Sequence, residues 1–429
     1  MATDALVKFS TLISMKTTLR SFRLTCTAEQ IADVEALLQA EDFSFAPEPF
    51  YPLARTLVHE PVPLGRSLAA RFGYIYIQDK SSMLPPLALA PRPADTVLDL
   101  CASPGSKTSL LSALVGMQGL VVANEPSPDR LATLRVNMRH LGCCNVITCK
   151  YLGQELPLAQ QICSRILLDA PCSGWGTVDK NPQAMRIWGA DKTQPLENLQ
   201  RDLLRAAHAL LAPGGELVYS TCTTNEQENE AQVCFARDEL GLDVCELPCF
   251  PGFSYAPSVP GCLRVHGEQS QAQGFFVAKL RKPGQSELSE PARPHHPPPG
   301  EVISSTEFAA QTGLTTHFLP AHSFLAVNGR VYLMLDAARI FGARLRWQGL
   351  SVGKIAKHTI LPDPTLRVFM PPTPDKHALV IDTCADIHGL LAGQSRPCSE
   401  KVRLQALYYR NLPLGFLTVK GNRCLWTDR

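Results

Sequence analysis

From residue 71 to residue 283 the chain alternates short apolar runs with amphipathic stretches. Thr96–Leu100, Leu120–Asn124, Asn145–Cys149, Arg165–Asp169, Glu216–Ser220 and Gly274–Leu280 read as strands. Between them, Lys107–Val115, Arg130–Leu141 and Glu197–Leu211 carry apolar residues at helical spacing. Such alternation predicts an α/β domain with a mostly parallel sheet covered on both faces. Ligands of these sheets bind at the carboxyl ends of the strands, near the point where strand order reverses. Candidate chemistry is therefore expected at those ends.

The flanks read differently. Residues 1–70 mix apolar and polar segments and form a small α/β lead-in. There Thr27 can cap a helix, Gln30 can close a capping box, and Ile31, Val34, Leu37 and Leu38 follow at helical spacing. Residues 284–300 are dense in proline, which forbids regular hydrogen bonding and predicts an extended linker; His295 and His296 read as part of it. Residues 301–429 hold short β-like runs, Val331–Leu335, Ala378–Ile381 and Leu414–Val419, between Gly, Pro and Asp turns. They predict a compact strand-rich module.

Composition narrows the class. The 429 residues suffice for two or three domains, and 45% hydrophobic with 19% charged residues excludes global disorder. The net charge is only +2, so the chain is no polycation. Residues 301–429, however, carry 15 Lys and Arg against 9 Asp and Glu, leaving the rest slightly acidic. A basic module on an acidic body hints at a polyanionic partner, although a solvated surface accounts for it equally well. No secretory leader opens the chain and no stretch has the length of a membrane span, so a cytoplasmic protein with reduced thiols is expected. Cys149, Cys234 and Cys245 lie in apolar runs and read as small core residues. None of the 15 cysteines has zinc spacing with its neighbours, so no metal is expected.

Four segments carry candidate chemistry. Val97–Thr108 runs from a strand through the small-residue turn Cys101-Ala102-Ser103-Pro104-Gly105-Ser106 to Lys107 at a helix start. Small residues let a ligand approach the backbone, and a helix start offers free N–H groups. The segment is not GxxxxGK[ST], which argues against a phosphate loop. Glu125 ends the next strand, where nucleoside-binding folds place an acceptor for ribose hydroxyls; an ordinary solvated glutamate is the alternative. Asp169-Ala170-Pro171-Cys172-Ser173-Gly174-Trp175-Gly176 and Ser220-Thr221-Cys222-Thr223 close the fourth and fifth strands. Two cysteines at the carboxyl ends of successive strands should share one crevice.

In that order, these segments resemble the RNA (cytosine-5)-methyltransferases, the class that holds the NSUN enzymes, and most nearly their bacterial 16S rRNA-modifying RsmF type. The segments Tyr76–Pro85 and Cys222–Glu230 support the likeness, which runs from about Thr18 to the end of the chain. The resemblance implies a Rossmann-like class I methyltransferase core with a seven-stranded sheet at 71–283. It also implies an RNA-contacting lead-in at 1–70 and a PUA-like RNA-binding domain at 301–429. S-adenosylmethionine would be the cofactor, lined by Cys101, Ala102, Ser103, Pro104, Gly105, Ser106 and Lys107, with Glu125 on its ribose and Asp169 beside cofactor and base. Cys222 would be the nucleophile and Cys172 the group that assists release. Lys107 stays open between an electrostatic role and a phosphate-binding or structural one. Lys180, Arg186, Lys354 and Lys357 could face phosphates, although each alone reads as a plain surface charge. The expected partner is 16S rRNA in the small ribosomal subunit, met by a monomer.

Three departures from that pattern stand out. Tyr151-Leu152-Gly153 puts Leu152 where the pattern has a carboxylate for the cofactor adenine, and Gln154 or a backbone carbonyl could substitute. Trp175 follows DAPCSG in place of Glu or Thr. The N-terminal segment is also shorter than expected. Three other readings compete: a tRNA methyltransferase, a non-catalytic RNA-binding or ribosome-assembly protein on the same scaffold, and a DNA cytosine methyltransferase. Retention of both cysteines argues against the second, and STCT argues against the third.

Overall fold

The computed structural model describes residues 20–177, 187, 192–285, 300–317, 319–341, 345–400 and 402–427. Lys180, Arg186, His295, His296 and most of the 284–300 linker lie outside the described residues.

The first layer is a four-stranded antiparallel sheet of β1 (Ser21–Leu24), β2 (Ser44–Pro47), β3 (Ala54–His59) and β4 (Ile75–Ile77), in the order β2-β3-β1-β4. Thr27 does not start a regular helix directly. One 3-10 turn, Ala28–Gln30, precedes α1 (Ile31–Gln39), and the Thr27 N–H donates to Gln30 Oε1 at 3.3 Å. Val34, Leu37 and Leu38 of α1 pack on Phe22 and Leu24 of β1, followed by α2 (Leu68–Arg71).

The core begins with α3 (Leu84–Leu89). It then alternates β5 (Thr96–Asp99), α4 (Ser106–Val115), β6 (Leu120–Asn124), α5 (Pro128–Leu141), β7 (Val146–Cys149) and β8 (Cys163–Asp169). It continues through α6 (Gln194–Leu210), β9 (Leu211–Thr221), α7 (Glu230–Asp238), β10 (Asp243–Cys245), β11 (Tyr255–Ala256), β12 (Leu263–Val265), α8 (Gly267–Ser270) and β13 (Phe275–Arg281). The helix ends follow local chemistry. Proline opens α5, where its missing N–H costs nothing, and Gly142 closes it at φ 69° with its N–H on the last turn. On α6, Leu196, Leu203, Leu204, Ala207 and Leu210 form the buried stripe.

The strand expectations hold within a few residues; the sheet differs in size. It has ten strands rather than seven, ordered β11-β12-β13-β9-β8-β5-β6-β7 and then Trp347–Gln348 (β17), with β10 also on β13. Neighbours from β7 through β9 pair in parallel, and β13 runs antiparallel to β9. β12 pairs with residues 275–277 of β13 and β10 with residues 279–281, so these two short strands fill one position of the sheet. Seven central positions remain, with β11 added at one edge and β17 (Trp347–Gln348) at the other.

β17 belongs to the C-terminal region, where Trp347 pairs with Cys149 of β7. That region also contains β14 (Glu301–Ile303), α9 (Ser305–Thr312), β15 (His322–Val327), β16 (Arg330–Leu335), β18 (Leu350–Ala356) and β19 (Thr359–Pro362), which build a five-stranded sheet. β20 (Leu379–Ile381), α10 (Cys384–Leu391), β21 (Ser395–Pro397), β22 (Leu404–Tyr409), β23 (Leu412–Lys420) and β24 (Arg423–Leu425) contribute a second such sheet. The strand-rich expectation is met. The apolar cores, however, run across sequence segments. Leu325, Met334, Phe341 and Trp347 join the core beneath β6 and β7. Ile387, Leu407, Leu417 and Trp426 complete the core of the first layer, where Phe72 meets Trp426 edge-on at 5.5 Å.

The buried Tyr74 hydroxyl donates to the Pro413 carbonyl at 2.6 Å, joining chain segments 339 residues apart. Tyr74→Phe keeps the ring and strands the carbonyl. It is expected to lower unfolding free energy by about 1–3 kcal/mol in urea titration.

Candidate active site

The register of β8 and β9 sets the site. Asp169 is the last residue of β8 and lies opposite Ser220 of β9, whose hydroxyl donates to Asp169 Oδ1 at 2.8 Å. Both strands end there. Cys172 follows β8 by three residues and Cys222 follows β9 by one, and their Sγ atoms lie 3.2 Å apart. Lys107, in the first turn of α4, reaches over the same strand ends and donates to Asp169 Oδ2 at 2.7 Å. The lysine is buried, with its Nζ 5.2 Å from the Phe275 ring centroid. Burial works against its charge, but Asp169 more than compensates and leaves it raised above the ordinary lysine value. Lys107 is thus an internal cation rather than a surface one.

The two thiols are inequivalent. Cys222 titrates below the ordinary thiol value, chiefly because Cys172 donates a hydrogen bond to it, with further help from Lys107 against burial and Asp169. Cys172 is pushed well above that value, first by the same hydrogen bond and then by burial. These directions make Cys222 the sulfur of the pair that ionises first, with the Cys172 S–H as its hydrogen-bond donor. Cys101 is different: burial, then Asp99 and Asp169, raise its thiol.

Sequence reasoning did not assign a role to the residue that holds these loops. Glu228 is fully buried, and its carboxyl group accepts from the Ser173 N–H at 2.9 Å, Ser173 Oγ at 2.5 Å, Gln200 Nε2 at 3.0 Å and Asn225 Nδ2 at 3.0 Å. Ser173 Oγ also lies 2.8 Å from Thr223 Oγ1, so the residues that follow the two cysteines touch. Gln200 donates in addition to the Pro171 carbonyl at 2.9 Å. One carboxyl group therefore ties together the Cys172 loop, the Cys222 loop and α6. Glu226, Glu228 and Glu230 share one short run; Glu230 is buried too, against Ser258 and Arg264, and nothing local says which carboxyl group meets the cysteine loops.

Gly176 adds a steric lock. Its N–H donates to the Cys222 carbonyl at 3.0 Å, and a Cβ here would overlap the Gly274 carbonyl oxygen. The neighbouring Trp175 lies in the same 3-10 turn, at the rim of the Cys222 loop.

Beside the thiols lies the turn from Cys101 to Ser106. Arg130 Nη2 donates to the Ser103 carbonyl at 3.0 Å, and Asn137 Nδ2 donates to the Pro104 carbonyl at 2.8 Å, fixing the turn to α5. Gly105 has φ 108°, a conformation that glycine alone adopts easily, and hands the chain to α4. The first-turn N–H groups of α4 have no intrahelical acceptors and sit at the carboxyl end of β5. Glu125 is buried at the end of β6. Its Oε1 accepts from the Ser127 N–H at 2.9 Å, and its Oε2 lies 3.5 Å from Arg130 Nε. Asp99 is buried in the same motif, with one oxygen on Thr108 and the other without a partner; burial first, with Asp169 nearby, pushes it up to about 7.

Leu152 is 48% exposed, an unusual surface position for so apolar a side chain. Gln154 is exposed as well. Cys149 is buried as expected, whereas Cys234 on α7 and Cys245 on the short strand β10 are half-buried. All 15 cysteines are free.

Residues 86–281 match the family model described as 16S rRNA methyltransferase RsmB/F. A solved methyltransferase homologue from Pyrococcus horikoshii is 33% identical with a TM-score of 0.54, and 86% of that chain and 62% of this one are covered. The chain belongs to the RsmB/F methyltransferase family. Its curated relatives include ribosomal RNA small subunit methyltransferase F from Shewanella loihica, 37% identical over 280 residues, covering 61% of this chain and 56% of the relative. The same-named protein of Salmonella typhi is 37% identical over 304 residues, covering 68% and 62% respectively. The RsmB/F chain thus spans less than two thirds of the length of the curated relatives it matches. The structure of NSun6 from Pyrococcus horikoshii with SFG is 23% identical, covers 63% of this chain and 92% of that one, and shares the fold at a TM-score of 0.56.

If Glu228 positions the thiols, Glu228→Gln turns an amide donor toward donors. We expect a stability loss of about 1–3 kcal/mol in urea titration. Alkylation of Cys222 by iodoacetamide at pH 7, followed by mass spectrometry, should slow several-fold and shift its midpoint to higher pH. The exposed Glu226→Gln should do neither.

Proposed function

We propose that this chain is an S-adenosylmethionine-dependent RNA (cytosine-5)-methyltransferase that acts in the cytoplasm on small-subunit ribosomal RNA. The observation that carries this reading is the 3.2 Å approach of Cys172 and Cys222 beside the Lys107–Asp169 pair. The names of its curated relatives support the ribosomal target.

The residues present fit the cofactor. Glu125 offers carboxylate acceptors to two ribose hydroxyls, and the small-residue turn from Cys101 to Ser106 leaves the first amides of α4 open to a polar tail. When bound, S-adenosylmethionine supplies an electrophilic methyl group on a sulfonium. The exposed face of Leu152 gives the adenine ring apolar cover but no acceptor for its amino group.

C5 of cytosine is a weak nucleophile, and covalent addition at C6 makes it a strong one. The Cys222 thiolate adds to C6, the C5–C6 electron pair moves toward N3, and N3 gains a proton that matches the one Cys172 loses. Loss of charge on Cys222 removes the main force that kept Cys172 protonated. Asp169 has free lone pairs beside those used by Lys107 and Ser220, and they accept from the N3–H and N4–H edge. Uracil would present O4 to the same carboxylate and be repelled. After C5 has taken the methyl, the Cys172 thiolate removes the C5 proton and becomes a thiol. The C5=C6 bond then reforms, N3 releases its proton to solvent, and the C6–S bond breaks to return the Cys222 thiolate. The target base must stand clear of its stack for this geometry, through an unpaired or flipped-out nucleotide.

Incubation with tritiated S-adenosylmethionine and unmodified 16S rRNA, naked and in assembled subunits, should label C5 of cytosine. No label in either, beside an active control, overturns the reading; label on tRNA alone redirects it. Cys222→Ala should abolish transfer, whereas Cys172→Ala should retain a covalent protein–RNA adduct on a denaturing gel. The reverse pattern exchanges the two roles.

Leu152→Asp supplies an acceptor for the adenine amino group. It should tighten S-adenosylmethionine binding by about 1–3 kcal/mol in calorimetry. Unchanged affinity would show that adenine does not approach this position.

A further inference from the structure

A cavity of about 340 Å³ opens between α5 of the core and the β16–β18 pair of the C-terminal region. Thr148 of β7 and Gln348 of β17 line it where those two strands join. Arg135 and Arg139 line it from α5, and Arg330 and Tyr332 from β16. Arg135 Nε donates to Thr148 Oγ1 at 2.9 Å, and Arg139 faces Asp363 at 3.4 Å. Arg330 lies directly opposite Lys354 in the β16–β18 register, and both are exposed. Like charges placed opposite each other on neighbouring strands repel. Among the described residues, no carboxylate lies within ion-pair distance of Arg135, Arg330 or Lys354. The fold has thus gathered cations and left their compensation to something outside it.

The position of the groove says what that is. Trp347 pairs with Cys149, so the residues one step further, Arg346 and Lys150, extend the cations to the carboxyl end of the sheet. Both are exposed. That end also carries the thiols. The row of cations ends at the edge of the sheet, with β6 and β5 between it and the strand that leads to Cys172, and it suits a polyanion whose charges repeat along a strand and cross that end of the sheet.

We infer that this groove holds the phosphate backbone of the RNA flanking the target nucleotide, with Arg135, Arg330 and Lys354 facing phosphates and Tyr332 facing a sugar or base. The inference rests on the RNA-methyltransferase reading and adds the track by which the substrate is held.

The test uses the full chain and an unmodified 16S rRNA transcript, with Kd measured by filter binding across a salt series. Arg330→Glu with Lys354→Glu should weaken binding about tenfold at 0.1 M salt. It should also make the slope of log affinity against log salt shallower by about 1–2, since each lost phosphate contact removes roughly 0.7–0.9. Arg330→Gln with Lys354→Gln should show a smaller change in the same direction, with the unfolding midpoint unchanged. Reversal of Arg205 and Arg237, exposed on α6 and α7, is the charge-matched control and should leave the slope in place. An unchanged slope in the groove variants, or an equal change in the control, overturns the groove and leaves the methyltransferase reading intact. An unaltered protein that neither binds nor methylates the transcript overturns both.

Discussion

The site depends on a single buried carboxyl group. Parallel pairing of β8 and β9 brings Asp169 opposite Ser220 and ends with the Ala170 N–H on the Ser220 carbonyl at 2.9 Å; beyond it the main chain meets the Cys222 segment again only at Gly176. Cys172 is three residues beyond the last ladder position, far enough for a free loop to wander by several ångströms. Glu228 removes that freedom by accepting from the loop on one side, from α6 on another and from the segment after Cys222 on a third. A thiol–thiol contact of 3.2 Å is shorter than the tolerance of an untethered loop. Buried polar groups are costly unless fully satisfied, and this one accepts four hydrogen bonds from three segments, so the cluster holds one geometry.

The second constraint is closure of the chain on itself. The first layer lacks the apolar surface to cover both faces of a four-stranded sheet. The last sheet supplies it, through Leu407, Leu417 and Trp426 against Phe72 and Leu68. The C-terminal region also extends the ten-stranded sheet through β17. Movement of the C-terminal region would therefore disturb β7 directly. β7 ends one residue before Lys150 and three before Leu152, so the position proposed to face adenine lies close along the chain to the strand that the C-terminal region pairs with.

Much of the core was legible because its signals are local. Strand limits from Thr96 to Asp169 follow from apolar runs bounded by turn residues, and the cysteines at the ends of β8 and β9 follow from those limits. Features made by distant pairing were not legible. Nothing near Trp347 announces that two residues will join an edge 200 positions earlier, and the split of one sheet position between β10 and β12 depends on which parts of β13 they meet. The inward turn of Glu228, flanked by Glu226 and Glu230, is fixed by Gln200 and Ser173, which lie 28 and 55 residues away. A capping box was visible at Thr27, yet the first turn is 3-10, because the end of a helix answers to its packing as well as to its cap.

The difference between the thiols follows from the hydrogen bond between them, from burial and from the charges around them. Two sulfurs in contact in a poorly hydrated site cannot both ionise, so one proton must be shared, and the question is which sulfur keeps it. Cys172 is the more deeply enclosed of the two and Cys222 has Lys107 as well as its partner's hydrogen bond. The proton stays on Cys172. In the proposed cycle the arrangement reverses itself: a Cys222 sulfur bonded to carbon would no longer set two anions against each other, and Cys172 would ionise in turn. Under that proposal a pair that differs only in surroundings would supply a nucleophile first and a base second, with Lys107 of α4 favouring the first charge.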